Sequence, residues 1–204
     1  MNKQIGFTLI ELSIALVIIG LILSMIVIKS GVLVGDTKTT STITLIKDLS
    51  GAVIDFKSRY HYLPGDLPKA SDDISGVTIG SACDSGNGNG LIDDPTNEIP
   101  CVAEHLVLAG LIKGNTTGIF SPFDNNQTKP DVFVMSASKS KVNVAATNLF
   151  PPTVQNVIEI SNIPCEAANT IDSKIDDGDT TKGNVRIEPA CTATNAITTL
   201  DVAI

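Results

Sequence analysis

The chain is 204 residues long, 43% hydrophobic, 18% charged and only 4% aromatic, with 22 acidic against 14 basic side chains and a formal net charge of −8. That length holds one domain, or one domain with an appendage, and the acidic balance excludes a protein that grips nucleic acid along its whole surface. Hydrophobicity is uneven: of the first 28 residues only Lys3 and Glu11 are charged, and Leu12 to Ile28 carries no charge at all. One apolar helix followed by a water-soluble domain is the first expectation.

Phe7 to Ile28 is a run of 22 residues. At about 1.5 Å per residue it makes a helix of roughly 33 Å, enough to cross a bilayer core. A secretory signal peptide has an apolar core of about 7 to 15 residues and a small-x-small cleavage site, and neither is evident. Lys3 and Lys29 flank the two ends, and the initiator amine adds a second charge in front, which favours a cytoplasmic leader and an external domain. Glu11 is the anomaly. A carboxylate at the bilayer centre costs about 2.5–3.5 kcal/mol, less near the headgroups, and the only cation of the chain within reach is Lys3. A cut after Gly6 would place a new α-amine on Phe7, about 6 Å of helix rise from Glu11, and the opposite charges would then repeat along a stack of such helices. The plainer alternative is a Glu11 hydrated at the headgroups.

Gly6-Phe7-Thr8-Leu9-Ile10-Glu11-Leu12, leading into an unbroken apolar run, resembles the N-terminal signature of type IV prepilins and of the pseudopilins of type II secretion. The resemblance implies that Gly6 and Phe7 flank the cut of a prepilin peptidase, that Phe7 becomes N-methylated, and that Glu11 pairs with the α-amine of a neighbouring subunit during assembly. It also implies partners: copies of the chain and other pilins in a helical filament, the peptidase, and an assembly platform in the inner membrane. The chain departs from the pattern at Ile28, where many pilins carry a proline. The division that follows is a leader at 1–6, a transmembrane and filament-core helix at 7–28, an amphipathic continuation at 29–63, and a periplasmic or extracellular domain at 64–204. The fold implied is α+β and pilin-like, a long N-terminal helix packed on a small antiparallel sheet with two short helices.

Beyond the polar, Thr-rich stretch that ends at Ser41, apolar residues return at Ile46, Leu49, Val53, Phe56 and Tyr60, in steps of 3, 4, 3 and 4 that mark one helix face. Pro64 predicts the helix end near Leu63. Leu63-Pro64-Gly65-Asp66 is turn chemistry, and it resembles segments that follow the first helix in several pilin-like proteins. The run between Cys83 and Cys101 is too rich in glycine for helix or central strand. A short helix is predicted from about Pro100 to Lys113, stopped by Gly114. Asp131–Ser136, Lys141–Val144 and Asn156–Ile160 read as three antiparallel strands. Asn162-Ile163-Pro164 opens a second short helix that turns Ala167, Ala168, Ile171 and Ile175 inward, and Asp177-Gly178 ends it. Asn184–Ile187 reads as a last strand, and the tail from Thr192 to Ile204 has no clear period. Ile171–Gly178, with Gly183-Asn184-Val185-Arg186 behind it, resembles a segment of larger pilin-like subunits.

The cysteines, at 83, 101, 165 and 191, are separated by 18, 64 and 26 residues, which fits no zinc pattern, and His61 and His105 add none. Of three possible connectivities, sequence proximity favours Cys83 with Cys101 and Cys165 with Cys191, each loop worth roughly 3 kcal/mol. Such bonds place the domain in an oxidising compartment; four buried free thiols are the alternative. As a calcium loop, Asn87, Asn89, Gly90 and Asp93 match poorly, because aligning Gly90 with the hand-loop glycine puts Ser85 first and Thr96 last. Asp176, Asp177 and Asp179 form a second candidate for calcium, and some type II secretion pseudopilins carry a calcium-binding loop; an acidic solvated turn is the alternative. No nucleophile elbow, phosphate-cradling loop or Cys-His pair is present, so no enzyme and no other cofactor is expected. The leading expectation is a structural filament subunit. The alternatives are a minor pilin that binds DNA through a local patch around Lys139 and Lys141, a surface or secreted cargo, and a membrane-anchored periplasmic domain outside any filament.

Overall fold

The structure is a computed structural model that describes residues 8–145, 149–192 and 197–204, with side chains described at these positions except 25–34 and 144. It comprises two compact units, Met1–Thr37 and Lys38–Ile204. The first helix, α1, runs Leu9–Tyr60 and contributes to both.

In the first unit, every Leu, Ile and Val side chain from Leu9 to Leu23 is more than half exposed. The hydroxyls of Ser13 and Ser24 donate back to the Ile10 and Leu21 carbonyls, so these polar groups are satisfied inside the helix. A helix apolar on all sides is stable where lipid or other helices cover it. Among the described residues no helix is long and apolar enough to cross a membrane. The described side chains of this run stop at Ser24, short of the Ile28 boundary read from the sequence.

In the second unit the expected stripe is the buried face of α1: Ile46, Leu49, Val53 and Phe56 lie inside, with Tyr60 packed at their edge. The helix ends at Tyr60 rather than near Leu63, because His61 adopts a left-handed φ of 64° and its N–H closes on the Lys57 carbonyl. The early stop turns the chain so that Leu63, Asp66 and Leu67 go into the interior. A single-turn helix α2 (Ala70–Asp73) follows. Next comes α3 (Val102–Leu108), entered through a tight turn at Ile99–Cys101. It stops short of Lys113, with Gly110 at φ 71° taking the role expected of Gly114.

The strands β1 (Val132–Ser136), β2 (Asn156–Pro164), β3 (Val185–Glu188) and β4 (Ile197–Ala203) form an antiparallel sheet in the order β1-β2-β4-β3 among the described residues. Register aligns Val134, Ile158, Val202 and Val185 in one row and Val132, Ile160, Leu200 and Ile187 in another. These two apolar rows join the α1 stripe in the main core. A helix α5 (Cys165–Ile175) starts directly after β2 and buries Ala167, Ala168 and Ile171, with Ile175 half-buried, as its spacing predicts. On the opposite face of the sheet, Met135 and Val157 meet Ala137, Val142 and Phe150 in a smaller cluster.

One expectation is corrected here. Lys141–Val144 is not a strand but a single-turn helix, α4. Ser140 caps it by accepting the Asn143 N–H, and the Lys141 N–H donates to Glu159 Oε2 at 2.8 Å, so local capping overrides the β-branched pattern. The tail, whose sequence shows no clear period, supplies β4, which lies between β2 and β3. Thr198, Thr199, Leu200, Asp201 and Val202 are all buried, and a strand enclosed on both faces shows no alternation to read.

Candidate functional site

Gly6 and Phe7, where the leader cut is expected, lie outside the described residues. At the start of α1 the Thr8 N–H and hydroxyl both donate to Glu11 Oε2 at 2.9 Å, and the Glu11 N–H returns a bond to the Thr8 hydroxyl at 3.4 Å. This is a capping box, which satisfies N–H groups that the first helical turn leaves unpaired. Glu11 therefore has a partner in its own chain, Thr8, that carries no charge. Among the described residues both bonds to the carboxylate fall on Oε2, and Oε1 accepts none. The Thr-x-x-Glu spacing is the signal from which this arrangement could have been read.

The Pro-Gly-Asp turn after α1 builds the polar centre of the domain. Asp66 is fully buried and accepts three backbone N–H groups from one loop: Gly88 (2.6 Å) and Asn89 (3.1 Å) on Oδ1, and Gly90 (2.8 Å) on Oδ2. Glu98, also buried, takes the N–H groups of Asn87, Asp93 and Asp94. Burial lifts the Asp66 carboxyl above its ordinary range, against the pull of the Gly90 and Gly88 bonds. Gly86 lies against the Asp66–Leu67 backbone so closely that a Cβ would collide with it. His105 of α3 completes the clasp. Its Nδ1 accepts the Gly65 N–H at 2.9 Å, which leaves the proton on Nε2 to be donated to the Cys83 carbonyl at 2.7 Å. Burial pushes this imidazole below its ordinary value, so the ring is neutral, and both nitrogens hold backbone. Residues 86–94 thus turn donors toward two carboxylates, which is the reverse of an oxygen-ligand loop. Asp66, Glu98 and His105 were not singled out by sequence reasoning, since their partners lie 11 to 40 residues away for most of these contacts.

Under α4 lies a second buried acidic pair. Register sets Phe133, Glu159, Asp201 and Arg186 in one row across the sheet. Glu159 faces Lys141 Nζ at 3.4 Å, and that ammonium also bonds Ser161 at 2.6 Å, which ties one of the two lysines of the suggested basic patch to the sheet. Asp201 is fully buried, and neither of its oxygens closes a hydrogen bond. Burial pushes it up to about 7, with Glu159 adding to the rise against the pull of the Ser140 hydroxyl.

The cysteines pair as Cys83–Cys101 and Cys165–Cys191, the connectivity that proximity favours. The second bond ties the start of α5 to the segment after β3. Of the acidic residues expected to form a calcium loop, Asp176 and Asp177 come together, whereas Asp179 is engaged by Thr181 and by Lys182 at 2.8 Å. The third carboxylate facing Asp176 and Asp177 is Asp172, one helical turn earlier on α5. The spacing from Asp172 to Asp176 is the signal sequence reasoning passed over.

Residues 1–27 match the family described as the prokaryotic N-terminal methylation motif, the prepilin-type signature. The motif supports a type IV pilin-like or pseudopilin protein and implies processing by prepilin peptidase. No curated protein and no solved structure matches the chain.

Proposed function

We propose that this chain is a structural subunit, pilin or pseudopilin, of a type IV pilus-like filament. The match of residues 1–27 to the methylation motif is the observation that carries this reading. In it, the peptidase cuts between Gly6 and Phe7, Phe7 is methylated, and the Phe7–Ile28 helix rests in the inner membrane before an assembly platform draws it into the filament. The exposed apolar side chains of Leu9 to Leu23 then pack against the same helices of neighbouring copies and of other pilins. Repeated head-to-tail contacts of this kind build open helical polymers from one subunit. Oxygen Oε1 of Glu11, which accepts no bond among the described residues, takes the α-amine of the next subunit while Oε2 keeps its Thr8 bonds. A buried charge is penalised far more alone than paired, so the pair fixes register while apolar burial supplies adhesion. The disulfides suit a domain held in the periplasm and then outside the cell. No catalytic group is required.

Mass spectrometry of the chain recovered from cells tests the reading. The expected mature protein begins at methylated Phe7; a chain that retains Met1 would reduce the molecule to a tethered domain. Glu11→Ala should insert and be cleaved normally yet yield filaments reduced by an order of magnitude or more, scored in sheared fractions. Normal filament yield from that variant would remove the register role.

A further inference from the structure

We propose that residues 87–90 are a guarded site of spontaneous deamidation, in which the buried Asp66 keeps two Asn-Gly pairs, Asn87-Gly88 and Asn89-Gly90, from closing to succinimides. Asn-Gly is the pair most open to this reaction, because glycine has no side chain to hinder ring closure. The glycine nitrogen gives up its proton and attacks the asparagine Cγ. A C–N bond forms, the Cγ–Nδ2 bond breaks, and the amide departs as ammonia with that proton. Water then opens the ring at either carbonyl and leaves aspartate or isoaspartate.

Both asparagines are exposed, so water reaches each of them. The nitrogens that must attack are turned inward. Gly88 N–H donates to Asp66 Oδ1 at 2.6 Å and to the Asp66 carbonyl at 3.1 Å, and Gly90 N–H donates to Asp66 Oδ2 at 2.8 Å. While these bonds stand, loss of the proton would set a negative nitrogen against an acceptor oxygen, and the peptide plane is not free to swing toward Cγ. The carboxamides are held as well: Asn87 Oδ1 accepts the Asn89 N–H at 2.9 Å, and Asn89 Oδ1 accepts the Leu91 N–H at 2.7 Å.

The two guards are unequal. Gly88 has two acceptors, and its backbone lies so close to Tyr62 and Pro68 that a Cβ would stand 3.0 and 3.1 Å from them. Gly90 has one acceptor, and a Cβ there would meet nothing within 4 Å. Asn89 is therefore the first to react when the clasp loosens. The change is one-way. Isoaspartate lengthens the main chain by one carbon, and either product puts a negative charge beside Asp93, whose Oδ1 lies 3.5 Å from Asn89 Nδ2. A clasp that has opened and reacted does not close again. This inference stands independent of the filament reading.

Site-resolved mass spectrometry of the full chain in detergent micelles, held in mildly alkaline buffer with and without urea, tests it. Native Asn89 should convert at least about tenfold more slowly than in urea, because the reaction waits on local opening. Native Asn89 should also convert before Asn87, whereas in urea the two keep pace. Asp66→Asn keeps the size of the side chain; its one oxygen stays with the two donors that share Oδ1, and its amide faces Gly90. Asn89 should then speed up about tenfold or more, with Asn87 close to its native rate. Should Asp66→Asn fail to fold, the order of conversion in the native chain decides alone. Equal rates with and without urea, native Asn87 converting first, or Asn89 unchanged in Asp66→Asn overturns the site.

Discussion

Asp66 and Asp172 are both fully buried carboxylates beside glycine-rich turns, yet Asp66 accepts three backbone N–H groups and Asp172 none. The difference lies in which way the turns aim their donors. At 86–90, Gly88 and Gly90 take φ values of 71° and 86°, and successive N–H groups converge on one acid. At 176–185 the donors go to Asp176 and Asp177, and Asp172 is left facing other carboxylates. Two acidic turns of similar composition therefore differ: one satisfies its buried acid within the chain, and the other leaves its buried acid without a donor.

The sharpest way to break this comparison is Asp66→Ala, which removes three bonds to one carboxylate and strands the Gly90 N–H, while Gly88 keeps the carbonyl of residue 66 and Asn89 keeps Asn87 Oδ1. At about 1.5–3 kcal/mol for each bond to a charged group, less relaxation, the loss should reach about 3–5 kcal/mol in denaturant unfolding. A loss under about 1 kcal/mol would mean that the loop finds other acceptors. Asp201 offers an intermediate case, an unbonded acid beside a lysine-paired glutamate. Its folded value of about 7 lies above the ordinary 3.8, so its stabilising contribution is complete below about pH 3.8 and is lost as pH rises through 7. The loss is on the order of 2–4 kcal/mol, and Asp201→Asn should abolish it, leaving the variant the more stable protein at pH 8. His105 works in the other direction, because its depressed value removes stability as pH falls below 6.5. The difference between native and Asp201→Asn melting curves isolates the carboxyl. The smallest expected effect has the opposite sign to the first: at neutral pH Asp172→Asn should stabilise by about 1–2 kcal/mol in denaturant unfolding, because it removes a buried carboxylate that accepts no hydrogen bond.

The parts of the fold legible in sequence are those with a period or a short reach. The α1 stripe from Ile46 to Tyr60 follows helical spacing, β1 and β3 follow their β-branched runs, and the disulfides join neighbours in sequence. What escaped is what long-range contacts decide. Lys141–Val144 reads as a strand until Ser140 and Glu159 cap it as a helix. Thr198–Val202 carries no alternation because both its faces are covered. The Asp66 clasp reads only as a turn, since Leu63-Pro64-Gly65 announces the bend and says nothing of the loop 22 to 24 residues onward that donates to it. At the acidic turn the run Asp176-Asp177 is plain in the sequence, while the buried Asp172 that faces it lies one turn back on α5.

The place of β4 has a bearing on how the chain is made. It follows β1, β2 and β3 in order of synthesis but slots between β2 and β3. The nascent sheet thus stays open along β2, and β3 waits unpaired, until residues 197–203 have left the ribosome. A product that terminates early would carry a bare, apolar strand edge, the kind that templates aggregation and marks a chain for disposal. Only a chain that already includes β4 can therefore hide its stickiest margin.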